Sequence, residues 1–252
     1  MSDDLQLVSK WLLANSLTLN IEKTYYVIFS MREVPNDLQI KIGNHKIERK
    51  SSGKFLGVIL DEKLTFREHL TMITSKISKV VGLFYRLKQQ FPLDVIHKLY
   101  YSLVYPHLNY CILAWGSAKQ TYLNPINLLQ KRICRIITDS AYYAHSDPLF
   151  KQLEMLKVSD LYLIHCQTYM YKSLVLNKHP KFKETILSLQ TYHHYQTRNT
   201  TMRNVYCRIS IVKQSIVHNA VKGWNSLKSY VKDAKSLQSF KAACKKEIVM
   251  RY

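Results

Sequence analysis

The chain has 252 residues, 47% of them hydrophobic, and 37 lysines and arginines against 17 aspartates and glutamates, for a formal net charge of +20 at pH 7. That apolar content suffices for a packed core in one large or two small domains and argues against disorder over most of the length. Five cysteines (Cys111, Cys134, Cys166, Cys207, Cys244) stand 23 to 41 residues apart with no Cys-x-x-Cys pair. This argues against a disulfide framework or a zinc finger and fits a reducing compartment. The acidic Met1-Ser2-Asp3-Asp4 start lacks the basic-then-apolar order of a signal peptide. No apolar run approaches the roughly 18 residues that span a bilayer. The expectation is a soluble intracellular chain, nuclear or cytoplasmic, neither secreted nor membrane-bound.

Taken in chain order, Leu5, Val8, Leu12 and Leu13, with Trp11 beside them, repeat at helical spacing and predict a helix over 4–16 capped by Asp3 or Asp4. Tyr25 to Phe29 reads as a buried strand. Leu38 to Ile42 and Lys46 to Glu48 flank Gly43-Asn44, a hairpin signal. Phe55 to Leu60 reads as a further strand. From residue 67 the pattern turns helical. Leu70, Ile73, Ile77, Val80, Val81 and Phe84 mark a helix over 67–89 that stops near Pro92, and further helices read at 94–104, 121–137 and 159–176. Leu128, Leu129, Ile133, Ile136 and Ile137 form the apolar face of the helix over 121–137. Pro106, Pro125, Pro148 and Pro180 punctuate the helices. The polar stretch 187–204 reads as a linker, and a weakly helical basic tail follows. The predicted fold class is α+β and predominantly helical, a small, mostly antiparallel sheet with one helix ahead of a helical bundle.

The charge is uneven. Residues 1–50 carry 7 basic and 6 acidic side chains, residues 201–252 carry 11 and 2. Such a field draws in polyanions, and with 12% aromatic residues, 18 of them tyrosine, stacking surfaces stand beside the lysines and arginines. Nucleic acid is the expected partner. The bland alternative is a basic protein whose lysines only solvate helix faces.

The motifs sharpen this reading. Trp11-Leu12-Leu13-Ala14-Asn15-Ser16-Leu17-Thr18-Leu19-Asn20-Ile21-Glu22-Lys23-Thr24 and Lys54-Phe55-Leu56-Gly57-Val58 come in that order, preceded by Asp4-Leu5-x-x-Val8 and followed by Leu64-Thr65-Phe66-x-x-His69. Leu99-Tyr100-x-Ser102-Leu103-Val104-x-Pro106-x-Leu108-x-Tyr110-Cys111-x-x-x-Trp115-Gly116 is the most distinctive block. Gln130-Lys131-Arg132-x-x-Arg135, His145-x-Asp147-Pro148-Leu149-Phe150, Met170-Tyr171-Lys172, Thr197-Arg198, Trp224-Asn225-Ser226-Leu227 and Ser236-x-x-x-Phe240-Lys241 complete the series. In this joint order they resemble the end of the palm, the thumb and the C-terminal region of jockey-like, non-LTR (LINE-type) retrotransposon reverse transcriptases. The Gly-Pro usual before that tryptophan is Ala220-Val221 here.

The resemblance implies a division into an end of palm over 1–66, a thumb-like region over 67–186, a linker over 187–204 and a basic C-terminal region over 205–252. It implies that Lys23 lies near the triphosphate, where an ammonium assists the leaving pyrophosphate. Lys54, Phe55, Leu56 and Gly57 match a primer-grip strand. Lys76, Lys79, Arg86 and Lys88, then Lys131, Arg132 and Arg135, are placed along the backbone of a template-primer duplex of RNA or DNA. The family's Tyr-x-Asp-Asp turn lies a few dozen residues ahead of the tryptophan, so no complete catalytic set is expected in this chain. Magnesium is expected only for the complete polymerase, in which missing palm, fingers or endonuclease parts would be partners. Alone, the chain is expected to be inactive.

Asp61-Glu62 offers adjacent carboxylates on an extended segment, which point to opposite faces and read as a turn. His193, His194, Cys207 and His218 match no common zinc spacing. Two alternatives stand beside the polymerase fragment: a non-functional truncated transposon relic, and a host-recruited nucleic-acid-binding protein.

Overall fold

A computed structural model describes residues 2–34, 39–43, 45–188, 202–203 and 210–252. His193, His194, Thr197, Arg198, Cys207 and most of the expected linker lie outside the described residues. The chain divides into two compact units, Met1–His69 and Leu70–Tyr252.

The first unit opens with α1 (Ser2–Ala14). Asp3 and Asp4 lie within its first turn and not at the cap. Leu5 and Leu12 are half-buried, whereas Val8, Trp11 and Leu13 are exposed. A 3₁₀ turn (Ile21–Lys23) leads to β1 (Tyr25–Tyr26). The predicted buried strand is thus only two residues long and half-buried, with Phe29 exposed. β2 (Lys41–Ile42) and β3 (His45–Lys46) form the expected antiparallel hairpin, with Gly43 at φ 57° in its turn. β4 (Glu48–Arg49) pairs with β1 in parallel. β5 (Ser52–Phe55) and β6 (Val58–Asp61) form a second antiparallel hairpin, Phe55 opposite Val58 and Ser52 opposite Asp61.

This last pairing corrects the reading of Phe55 to Leu60 as one strand. Leu56 and Gly57 adopt φ of 44° and 83°, the doubly left-handed pattern that matches the right-handed twist of flanking strands and closes a two-residue turn. Among the described residues the strands make three two-stranded pieces, not one sheet.

The second unit is helical. α2 (Arg67–Leu87) runs into it and buries Leu70, Ile73, Ile77, Val81 and Phe84 at helical spacing. α3 (Leu93–Leu103), α4 (Tyr105–Asn109) and α5 (Ile112–Trp115) follow. Cys111, at φ 49°, turns the chain between the last two, and the Trp115 indole donates to the Tyr110 carbonyl at 2.9 Å. α6 (Gln120–Ile137) contains Pro125 in its interior, so that proline does not punctuate a helix as expected. Leu128 faces solvent, against its assignment to the apolar face. α7 (Ser146–Gln152), α8 (Val158–Leu174), α9 (Pro180–Ser188), α10 (Ser210–Lys213), α11 (Ile216–Asn225), α12 (Ser229–Lys232) and α13 (Leu237–Val249) complete the chain.

α8 is the central helix, packed by α5, α11 and α13. Ile164, Cys166, Met170 and Tyr171 share one core with Ala220, Val221, Trp224, Phe240, Cys244 and Ile248. Gly223 allows the approach of α11, since a Cβ there would meet Leu163 Cδ1 at 2.9 Å, and its carbonyl accepts from Gln167 Nε2 at 3.1 Å. The expected basic tail is therefore part of the core of this unit.

One buried carboxamide ties three helices together. Gln130 Nε2 donates to the Tyr100 hydroxyl at 3.0 Å and to the Leu156 carbonyl at 3.1 Å, and Gln130 Oε1 accepts from Val158 N at 2.9 Å, capping the start of α8. Gln130→Ala would leave these groups unsatisfied in the interior. We expect it to destabilise by about 3 kcal/mol, read as a lower urea midpoint at unchanged m-value.

At the same end of α8, Lys157 Nζ pairs with Asp147 Oδ1 at 2.9 Å. Hydrogen bonding from Lys157, followed by its charge and those of His145 and Lys131, holds the Asp147 carboxyl below the usual carboxylate range against the opposing effect of burial. A depressed folded pKa stabilises above the unfolded value of about 3.9 and is lost as pH falls through the folded one. Asp147→Asn should accordingly lower the melting temperature at pH 7, and that deficit should shrink as pH falls below about 3.9 and vanish only once the folded carboxyl is itself protonated.

Candidate nucleic-acid interface

In the first unit, Lys23 is presented by a hydrogen-bonded turn. Asn20 Oδ1 accepts from Lys23 N at 3.0 Å, and Thr24 Oγ1 donates to the Asn20 carbonyl at 2.7 Å. The Asn20-x-x-Lys23-Thr24 spacing is thus an Asx cap that leaves the Lys23 side chain exposed. Two residues on, the Tyr25 ring lies against Gly53, where a Cβ would meet it at 2.4 Å, and the Tyr25 hydroxyl donates to the Lys54 carbonyl at 3.4 Å. The Lys23 turn and the β5–β6 hairpin are in this way brought to one neighbourhood.

Lys54, Phe55, Leu56 and Gly57 form the end and turn of that hairpin. Phe55 is 64% and Leu56 72% exposed, while Val58 anchors the hairpin from beneath. Gly57 serves the turn through its positive φ. The tip therefore offers two apolar side chains and one ammonium to solvent.

Asp61 closes the hairpin. Its carboxylate accepts from Lys63 N at 3.2 Å, Thr65 N at 3.0 Å, Thr65 Oγ1 at 3.1 Å and Phe66 N at 2.7 Å. Glu62 pairs with Arg49 at 2.9 Å. Both carboxylates thus have structural partners, and Asp4 lies on α1. Among the described residues no group of three or more His, Cys, Asp or Glu side chains could hold a metal ion.

In the second unit the basic residues fall into two sets. Lys76, Lys79 and Arg86 are exposed on α2. Lys79 and Arg86, two turns apart, share the face opposite the buried stripe. Lys76 lies near enough to α4 to add to burial in lowering the His107 pKa. The second set is engaged in the fold. Lys88 pairs with Asp139. The Arg132 guanidinium stands 5.1 Å over the Tyr85 ring and donates to its hydroxyl at 3.2 Å. Arg135 Nε donates to the Ala144 carbonyl at 2.9 Å, and Lys131 lies within electrostatic reach of Asp147. Arg132 over Tyr85 and Lys88 with Asp139 place the C-terminal ends of α2 and α6 side by side. Sequence reasoning missed Tyr142 and Tyr143, which stand exposed just beyond α6. Their only signal was a paired aromatic in a segment without periodicity.

Comparison with known proteins shows what the chain is similar to. Over 166 residues, 64% of this chain, it is 29% identical to the RNA-directed DNA polymerase from mobile element jockey of Drosophila funebris. It is 27% identical over 165 residues to the probable RNA-directed DNA polymerase from transposon X-element, and 28% identical over 174 residues, 67% of this chain, to that from transposon BS, both of Drosophila melanogaster. The chain resembles the jockey-like RNA-directed DNA polymerases. It spans about a fifth of the length of these curated relatives, matching 18% of the X-element and jockey proteins and 19% of the BS protein. No protein-family profile matches the chain, and no solved structure matches it. The jockey-like resemblance drawn from motif order is thus borne out, and among the described residues no helix is long and apolar enough to cross a membrane.

The hairpin tip yields a test of its own. A leucine held at φ 44° costs about 1 kcal/mol, a cost that asparagine largely avoids. Leu56→Asn should raise the urea midpoint, whereas Gly57→Ala, forced to φ 83°, should lower stability by about 1 kcal/mol.

Proposed function

We propose that this chain is the nucleic-acid-holding part of a jockey-like reverse transcriptase, comprising the end of the palm and the thumb, and that it grips the sugar-phosphate backbone of a template-primer duplex without reading its sequence. The observation that carries this reading is the Lys76, Lys79 and Arg86 set on the exposed side of α2, in a chain with net charge +20. In this reading the exposed tip at Lys54, Phe55, Leu56 and Gly57 meets the primer end, and Lys23 stands toward the triphosphate. Lys88, Lys131, Arg132 and Arg135 add contacts where α2 and α6 end together. An exposed pair such as Lys88 with Asp139 contributes little to stability, so a phosphate can take the place of the aspartate. The transfer step itself is assigned to catalytic carboxylates outside this chain, with other palm, fingers or endonuclease parts as partners, since Asp61 and Glu62 are committed to backbone and Arg49 contacts.

A second reading, a truncated relic that folds poorly, is favoured by the exposure of Val8, Trp11 and Leu13 on α1. Cooperative unfolding of a monomer in solution would count against it.

The direct experiment is fluorescence anisotropy of the chain with a labelled RNA–DNA duplex over a salt series. Affinity should fall steeply with salt. The variant with Lys76→Ala, Lys79→Ala and Arg86→Ala should flatten the log–log slope by about 2 to 3, near 0.9 for each phosphate no longer neutralised. Affinity that does not change with salt, or no binding at low salt, would overturn the reading.

A further inference from the structure

We propose that the turn following α6 is a stacking platform for unpaired nucleotides, built from Tyr142 and Tyr143. This rests on the nucleic-acid-holding reading above and deepens it, because backbone grip alone does not distinguish a duplex from a single strand.

Three observations converge. The first is exposure. Tyr143 is 91% and Tyr142 69% exposed, although tyrosine is a residue that folding ordinarily covers in large part. The two rings meet edge to face, their centroids 5.0 Å apart and their planes at 89°, which leaves ring faces open for stacking.

The second is that the turn carrying them is braced. Ala144 N donates to the Ala141 carbonyl at 3.0 Å, so the two tyrosines occupy the corner of a tight turn. Arg135 holds it from both sides: its carbonyl accepts from Ser140 N at 3.0 Å, and its Nε donates to the Ala144 carbonyl at 2.9 Å. Thr138 and Ser140 share a hydroxyl contact at 2.8 Å, and Lys88 pairs with Asp139 at the entry of the turn. A surface held this way loses little freedom when a ligand settles on it.

The third is charge. Arg132 and Arg135 occupy the last turns of α6, and Arg132 with Tyr85, Arg86 and Lys88 brings the cationic end of α2 alongside. Exposed rings beside arginines form the combination that binds single strands, where the cations follow the phosphates and each ring takes a base. An acidic peptide would satisfy the cations but not the rings. The bases of an intact duplex are already stacked on one another, so the ligand class is a single-stranded segment of RNA or DNA, such as template not yet copied.

The test measures anisotropy of the full chain with a single-stranded oligonucleotide and with the blunt duplex of the same sequence, over a salt series. The double substitution Tyr142→Ala, Tyr143→Ala should weaken single-strand binding by roughly tenfold or more, since at least one base loses its stacking partner. Its salt slope should not change, because no charge is removed. Blunt-duplex affinity and the melting curve should also stay as they are, and Tyr142→Phe, Tyr143→Phe should bind as the parent does. An unchanged single-strand affinity in the alanine variant overturns the platform, as does an equal loss for blunt duplex or a phenylalanine variant as weak as the alanine one. In those cases a steep salt dependence on duplex would leave the backbone-grip reading standing. Absence of binding to both probes overturns the two together.

Discussion

The Gln130 carboxamide fixes the helical unit. A carboxamide in a low-dielectric interior must have its donors and acceptor satisfied, and here they reach α3 through Tyr100, the segment before α8 through Leu156, and the first turn of α8 through Val158. Two further restraints arrive at the same place. Lys157 is held by Asp147, and the Tyr252 hydroxyl accepts from Lys157 N at 3.1 Å while donating to Asp160. The start of α8 is therefore set by α6, by α7 and by Tyr252 together, and α5, α11 and α13 pack on the helix so placed. The consequence reaches the surface. With Gln130 turned inward, Arg132 on the same helix must face outward over Tyr85, and Arg135 is left where it braces the tyrosine turn. Core geometry and cationic surface are two sides of one helix.

The long helices were legible because a single buried stripe imposes a 3.6-residue period, as along α2 from Leu70 to Phe84. α8 reads differently. It is covered on several sides, with Gln167, Thr168, Met170 and Tyr171 all buried within five positions, so its pattern shows a helix but not what covers it. The C-terminal helices looked like a basic tail for the opposite reason. α13 buries only Phe240, Cys244 and Ile248, one residue per turn, and the lysines between them dominate its composition. The β5–β6 hairpin was hidden because a leucine carries no left-handed preference. Only the neighbouring glycine hinted at a turn, and an apolar run is otherwise the mark of a strand.

The candidate site was legible in its charges and not in their partners. Lys76, Lys79 and Arg86 were implied by the resemblance, and the buried stripe of α2 leaves them exposed. That Lys88 meets Asp139, 51 residues away, or that Arg132 lies on Tyr85, 47 residues away, depends on tertiary packing that no local pattern encodes. Tyr142 and Tyr143 pose the converse problem. An aromatic pair in a sequence points first to a core, and only the turn geometry around Arg135 shows these two rings turned outward.

Each unit is stabilised internally by its own physics. Among the described residues of the first, the buried side chains are Ile47, Val58, Phe66 and His69, too few for the hydrophobic effect to define its shape. Hydrogen-bonded turns define it instead: Asn20 ahead of Lys23, Leu56-Gly57 at the hairpin tip, and Asp61 at the hairpin base. Asp61 sits opposite Ser52, ends the hairpin, and with four accepted hydrogen bonds holds a segment in which Leu64 and Phe66 adopt φ of 50° and 58°. Such left-handed residues cost free energy singly and persist only where their surroundings over-determine them. A carboxylate that might have been taken for a metal ligand is therefore what positions the hairpin, and with it the Lys54–Gly57 tip. Loss of that side chain would displace the tip without altering any residue of the tip itself.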